Sequence, residues 1–170
     1  MTKHMPGPLR VAAALAACTA LLAGCGTGEG YNLTKPPHAD SPACDTLTGK
    51  VPDELGGHRL AKSSVTGAAA WGDGDIILYC GMPEPEAADD DCLTEDGVDW
   101  TSQKPADDRT AAMYATHDRS PAVQVRFTSE DADAPAVLAA LAPAVKDIKT
   151  GESGESSRAG KADERCGSAG

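Results

Sequence analysis

Large aromatic rings are what this chain has least of: from residue 42 to residue 149 only Trp71, Tyr79, Trp100, Tyr114 and Phe127 supply one. A core of about 110 residues so poor in rings has to be filled by Val, Leu, Ile and Ala, and covalent crosslinks would offset its thinness. That length suits one domain and is too short for two. In "DIILYC", residues 75–80, Ile76, Leu78 and Cys80 fall on one face of a strand and Ile77 and Tyr79 on the other. In "AVQVRFT", residues 122–128, Val123, Val125 and Phe127 alternate with Gln124, Arg126 and Thr128, as a sheet with one wet face requires. "GVDWTS" and "TAAMYATH" are weaker strand candidates. Ser41 before Pro42 reads as an N-cap and first helical position, with Cys44, Leu47 and Val51 following at helical spacing and Gly49 and Pro52 keeping the helix short. Residues 135–149 place Val137, Leu138, Leu141, Val145 and Ile148 on one helical stripe, in which Pro143 is expected to kink or divide the helix. The expected fold class is α+β, a small antiparallel sheet with a short N-terminal helix and a C-terminal helix packed on one face.

The ends of the chain read differently. Lys3 and Arg10 precede an unbroken apolar or small run over residues 11–23, too short for a membrane span and typical of a secretory signal. The run ends in Leu22, Ala23, Gly24 and Cys25, which resemble the bacterial lipobox, whose cysteine receives a diacylglycerol before cleavage. The resemblance implies a signal peptide over residues 1–24 and lipidation at Cys25, and a two-chain anchor holds stably where one chain is marginal. Residues 25–41, rich in Gly, Pro and polar side chains, then form a flexible tether. The single α+β domain spans 42–149. Residues 150–170 have a Gly, Ser and charged composition that cannot offset ordering entropy, and they form a disordered tail. The expected location is the extracytoplasmic face of a cell membrane.

Removal of the signal takes away Lys3 and Arg10 and no acid, moving the formal charge from −11 to −13. A chain this acidic has no basic patch to neutralise phosphates, so neither nucleic acid nor an anionic lipid surface is an expected partner.

Cysteine accounting follows from the address. Cys18 leaves with the signal and Cys25 is used by lipid, so Cys44, Cys80, Cys92 and Cys166 remain, and four thiols outside the cytoplasm allow three pairings. Cys44–Cys80 with Cys92–Cys166 is favoured, because Cys44 faces the core from the first helix and Cys80 ends a buried strand. A metal or redox site is disfavoured: no C-x-x-C occurs, and His38, His58 and His117 do not lie at ligand spacing from a cysteine.

Few residues suggest chemistry. Asp73, Asp75 and Glu84 fit positions 1, 3 and 12 of a calcium loop, but Ile77 and Leu78 stand where an oxygen ligand and a sharp-turn glycine are needed. A turn at 72–74 feeding the strand is the better reading. The stretch "EPEAADDDCLTED", residues 84–96, packs seven carboxylates and reads as a solvated loop, with loose cation binding as its functional alternative. No G-x-S-x-G, H-E-x-x-H or glycine-rich phosphate loop occurs, and His117 and Asp118 are adjacent rather than spaced as an aligned pair. No cofactor, catalytic residue or metal ligand is therefore assigned. Trp71 and Trp100 are the candidate binding residues, as an aromatic ligand platform, against the plainer expectation that they pack in or beside the core.

Assembled, these segments resemble an actinobacterial family of secreted or lipid-anchored proteins of the domain-of-unknown-function 3515 type. The resemblance rests on a cysteine opening a short helix, "VPDELGGHR", "AWGDGDIILYCG" and "GVDW". It implies Cys44–Cys80 as the family-like bond and Cys92 with Cys166 as additions. Gly74 stands where the family signature carries a small residue or proline, and Tyr79 where it carries arginine. The expected function is a non-catalytic envelope binding or interaction module, monomeric, whose partner is an envelope protein or cell-wall component met through the sheet and loops around Trp71, Gly81 and Trp100. The alternatives are a solute- or cation-binding lipoprotein using the acidic loop and, further off, a hydrolase.

Overall fold

A computed structural model describes residues 31–61, 63–85, 92–105 and 107–150. In chain order it contains α1 (Pro42–Thr48), β1 (Glu54–Leu55), β2 (His58–Ala61), β3 (Ala68–Trp71), β4 (Ile76–Met82), β5 (Cys92–Glu95), β6 (Val98–Gln103), β7 (Ala112–Thr116), β8 (Ala122–Phe127) and α2 (Ala134–Val145). The strands form one antiparallel sheet in the order β1-β2-β3-β4-β8-β7-β6-β5. Two meanders of four strands are thus joined through their last strands. The joint is the β4–β8 ladder, where Ile76, Leu78 and Cys80 face Phe127, Val125 and Val123 across the register.

The alternation that marks β4 and β8 in the sequence is the alternation that builds the core. Ile76, Leu78, Cys80, Val123, Val125 and Phe127 are all buried, together with Trp71, Trp100 and the apolar stripe of α2. Ser41 caps α1 by accepting from the Ala43 amide, and the chain leaves the helix at Gly49, so Val51 lies beyond it. Asp133 caps α2 by accepting from the Ala136 amide at 3.2 Å. Pro143 does not divide this helix, which runs unbroken from Ala134 to Val145. It lies near the last turn on the exposed side, where the carbonyl it leaves without a donor can be met by water. Beyond α2, the buried Arg119 guanidinium donates to the Ile148 carbonyl at 2.6 Å and fastens the chain after the helix to the β7–β8 connection. Burial pushes the Arg119 pKa down, against the opposing charge of Asp99.

Four strands are additional to the sequence reading: β1, β2, β3 and β5. Gly56 and Gly57 both have positive φ, 57° and 80°, and turn β1 back on β2; Asp96 and Gly97, at 44° and 74°, turn β5 back on β6. Two successive residues at positive φ are what a tight two-residue hairpin needs. The end of the expected acidic loop is therefore a strand, Cys92–Glu95, while residues 86–91 lie outside the described residues. The turn expected at 72–74 is the β3–β4 turn, closed by the Asp75 amide donating to the Trp71 carbonyl at 3.1 Å.

Of the segment 25–41 expected as a tether, residues 25–30 lie outside the described residues, and from Tyr31 onward it lies against the body. A Cβ on Gly74 would stand 2.6 Å from the Tyr31 ring, and one on Gly81 would stand 2.5 Å from the Ala39 amide nitrogen. The His38 amide donates to the Gly81 carbonyl at 2.9 Å, and Pro36 and Ala39 are buried. Residues 31–39 therefore form a strap alongside β4, with Tyr31 at the β3–β4 turn and Ala39 at the opposite end. Composition over the whole segment is polar, but Tyr31, Leu33, Pro36 and Ala39 supply enough apolar surface to seat it.

Cys44 and Cys80 form a disulfide, with a sequence separation of 36 and 5.4 Å between their Cα atoms. In the chain-entropy model such a closure contributes about 4 kcal/mol. A buried ring removing about 200 Å² from water contributes about 5 kcal/mol. The bond is thus comparable to one core aromatic in a domain with few of them. Cys92 is also disulfide-bonded, and Cys166, its expected partner, lies outside the described residues.

Replacing Cys44→Ala together with Cys80→Ala is expected to lower unfolding free energy by about 4 kcal/mol, read from urea melts of the two proteins. Trp71→Phe, which removes the 2.9 Å bond from the indole N–H to the Pro52 carbonyl, is expected to cost a further, separate 1–3 kcal/mol or so in the same assay.

Candidate functional site

Trp71 and Trp100, the candidate platform, are both completely buried. Neither ring offers a face to a ligand while the core is closed. β3 carries Trp71 inward against the α1–β1 connection, which its indole N–H holds through Pro52. β6 carries Trp100 inward opposite Thr116 and Leu93. Gly81, the third point around which binding was expected, lies directly beneath the strap. Of the three points, Gly81 is thus covered by the chain itself and the two rings belong to the core.

A concavity lies elsewhere, a groove of about 570 Å³ between α1 and the β2–β3 hairpin. Asp45 and Thr48 of α1 and Val51 form one wall, while Leu60 and Ala61 of β2 and the connecting residues 63–67 form the other. Ala68 and Ala69 form the floor. The disulfide sets the distance between the walls, because Cys44 lies beside Asp45 on α1 and Cys80 donates its amide to the Gly67 carbonyl at 2.7 Å. Val51, Leu60, Ala61 and Val65 are half-buried, Ser63, Ser64 and Thr66 add hydroxyl-bearing side chains, and the Thr48 hydroxyl donates to the Cys44 carbonyl at 2.9 Å. Asp45 is the only charged side chain among the described residues of the lining. Hydroxyls and half-buried aliphatics can hold an uncharged, extended ligand, with polar groups met by the rim and apolar groups by the floor.

These residues were not singled out from the sequence. The available signal was Gly56-Gly57, a hairpin turn, followed by a Ser, Thr and Gly connection at 63–67 between two short apolar pairs.

Charged side chains gather in pairs rather than in a centre. His58 Nδ1 lies 3.1 Å from Asp75, at the β3–β4 turn, and His117 Nε2 lies 3.4 Å from the neighbouring Asp118. Neither pair lines the groove. Among the described residues no three His, Cys, Asp or Glu side chains come together as metal ligands would. Asp73 and Asp75 share a turn, where Asp75 accepts from the Asp73 amide. Where the family resemblance expects arginine, the Tyr79 ring is covered by the Arg126 guanidinium of the adjacent strand, 5.0 Å from its centroid. Arg126 is oriented in turn by Gln124, which accepts its Nε–H at 2.9 Å.

Among the described residues no helix is long and apolar enough to cross a membrane. Cys25 and its neighbours lie outside them. No curated protein and no solved structure matches the chain. A family model does match, the one described as "Protein of unknown function (DUF3515)", over residues 8–152. That span takes in both meanders, both helices, the Cys44–Cys80 bond and the groove, and the chain accordingly belongs to the DUF3515 family.

Proposed function

We propose that this protein is a lipid-anchored, non-catalytic module on the extracytoplasmic face of the cell membrane, and that it holds an envelope protein or cell-wall component in the groove between α1 and the β2–β3 hairpin. The observation that carries the proposal is the groove itself, whose two walls are braced by Cys44–Cys80. A pre-formed site loses little freedom on binding, and so retains more of its contact energy as affinity. Its described lining carries one charged side chain, Asp45, and suits an extended uncharged segment whose amide or hydroxyl groups meet Ser63, Ser64 and Thr66. The non-catalytic reading is supported by the position of both histidine–carboxylate pairs, half-buried and outside the groove. The anchor is supported by Leu22, Ala23, Gly24 and Cys25 after an apolar run, and a disulfide suits the oxidising compartment to which such a signal leads.

Cys25→Ser is expected to move the protein from the membrane fraction to the soluble fraction of cells, and to remove the diacylglycerol mass from its mature N-terminus. Unchanged membrane retention would contradict the anchor. Thr66→Trp places a ring on the exposed rim of the groove and is expected to change stability by no more than about 0.5 kcal/mol. Crosslinking to the partner in intact cells should nevertheless fall at least fivefold. Equal crosslinking by the two proteins would remove the groove as the binding site.

A further inference from the structure

The strap fixes where the anchor pulls. Resting on the lipidation of Cys25 proposed above, we propose that the docking of residues 31–39 turns the β3–β4 turn end of the domain toward the bilayer and keeps the opposite end, with the 63–67 rim of the groove, away from it. A tether loose as far as Ser41 would reach about 55 Å and enter the body beside Gly67 and Gly81. The docked strap moves the point of attachment to the other end of β4, at Tyr31 on Gly74. From Cys25 to Tyr31 there are only six Cα steps, which span at most about 21 Å in any conformation.

The length of β4 then decides the orientation. Gly74 to Gly81 is about 23 Å of strand, so a body inverted with its Gly81 end on the headgroups would need the six-step link drawn out to its full length, whereas the upright body leaves it slack. The end so turned toward the membrane carries His58, Asp73 and Asp75. The amide of Thr128 donates to the Asp75 carbonyl at 3.1 Å, so β8 ends at the same edge, and Glu130 and Asp131 follow it in sequence. That surface is acidic, and it is held near the headgroups rather than buried among them. At the other end, Gly67 and the β2–β3 connection face away from the membrane. A partner in the wall can therefore reach the groove without competing with lipid.

The test uses the mature chain, disulfides formed, joined chemically through the Cys25 thiol to a lipid in phosphatidylcholine nanodiscs that carry a gadolinium-chelating headgroup. Chemical attachment separates this question from whether cells lipidate Cys25, which the Cys25→Ser fractionation decides. Amide resonances at 72–75 and 128–131 should be broadened at least tenfold more than those of Gly67, Gly81 and Ser120. Inserting ten Gly and Ser residues between Gly30 and Tyr31 keeps the strap seated but lengthens the reach, and should reduce that ratio severalfold. The double variant Tyr31→Ser with Leu33→Ser should abolish it. Uniform broadening of the unmodified chain, stronger broadening at Gly81, or a ratio untouched by the insertion would overturn the proposal.

Discussion

The pairing of β4 with β8 is the contact on which the rest of the structure depends. Each strand closes a meander of four, and neither meander could bury its inward face without the other. The ladder sets Leu78 against Val125 and Cys80 against Val123, and a slip of one residue would exchange the buried and outward sets of both strands. Nothing in the surrounding core would tolerate that exchange. Trp71, Phe127, Leu138 and Leu141 pack as one cluster with the inward side chains of the ladder.

β4 also takes on two further attachments. On one side Cys80 holds α1, which gives the groove its second wall; alongside, Gly74 and Gly81 leave room for the strap. Both glycines have positive φ, 88° and 103°, so a side chain at either position would meet strain as well as the strap. One strand thus sets the core, the candidate site and the point from which the chain leaves toward Cys25. In a domain with few large rings, concentrating the constraints on one strand lets a modest core specify a single arrangement.

How much of this was legible depended on the length of each signal. β8 and β4 run six and seven residues, long enough for alternation to show, and α1 announced itself through Ser41, Pro42 and a core-facing Cys44. β1 and β3 did not: two residues in one and the run Ala68-Ala69-Ala70 in the other carry no period. β5 was hidden inside a stretch rich in carboxylates, although Asp96-Gly97 is a hairpin signal. The strap was not legible because composition averages over a window, whereas docking depends on the particular spacing of Tyr31, Leu33, Pro36 and Ala39. The groove is a tertiary product, since α1 forms its wall only once Cys44 has met Cys80. Trp71 and Trp100 illustrate the converse: scarce rings attract functional readings, but in so thin a core they are needed inside.

Native-state hydrogen exchange tests the central claim, that one strand unites both meanders, the helix and the strap in a single cooperative unit. The amides of the β4–β8 ladder should exchange slowest and only through global unfolding, and those of β3 and β7 should merge with them at moderate denaturant. The amide of His38, bonded to Gly81, should be protected in the native state. Separate opening of β5–β7 from β1–β3, each with its own free energy and with β4 exchanging alongside only one of them, would contradict the claim.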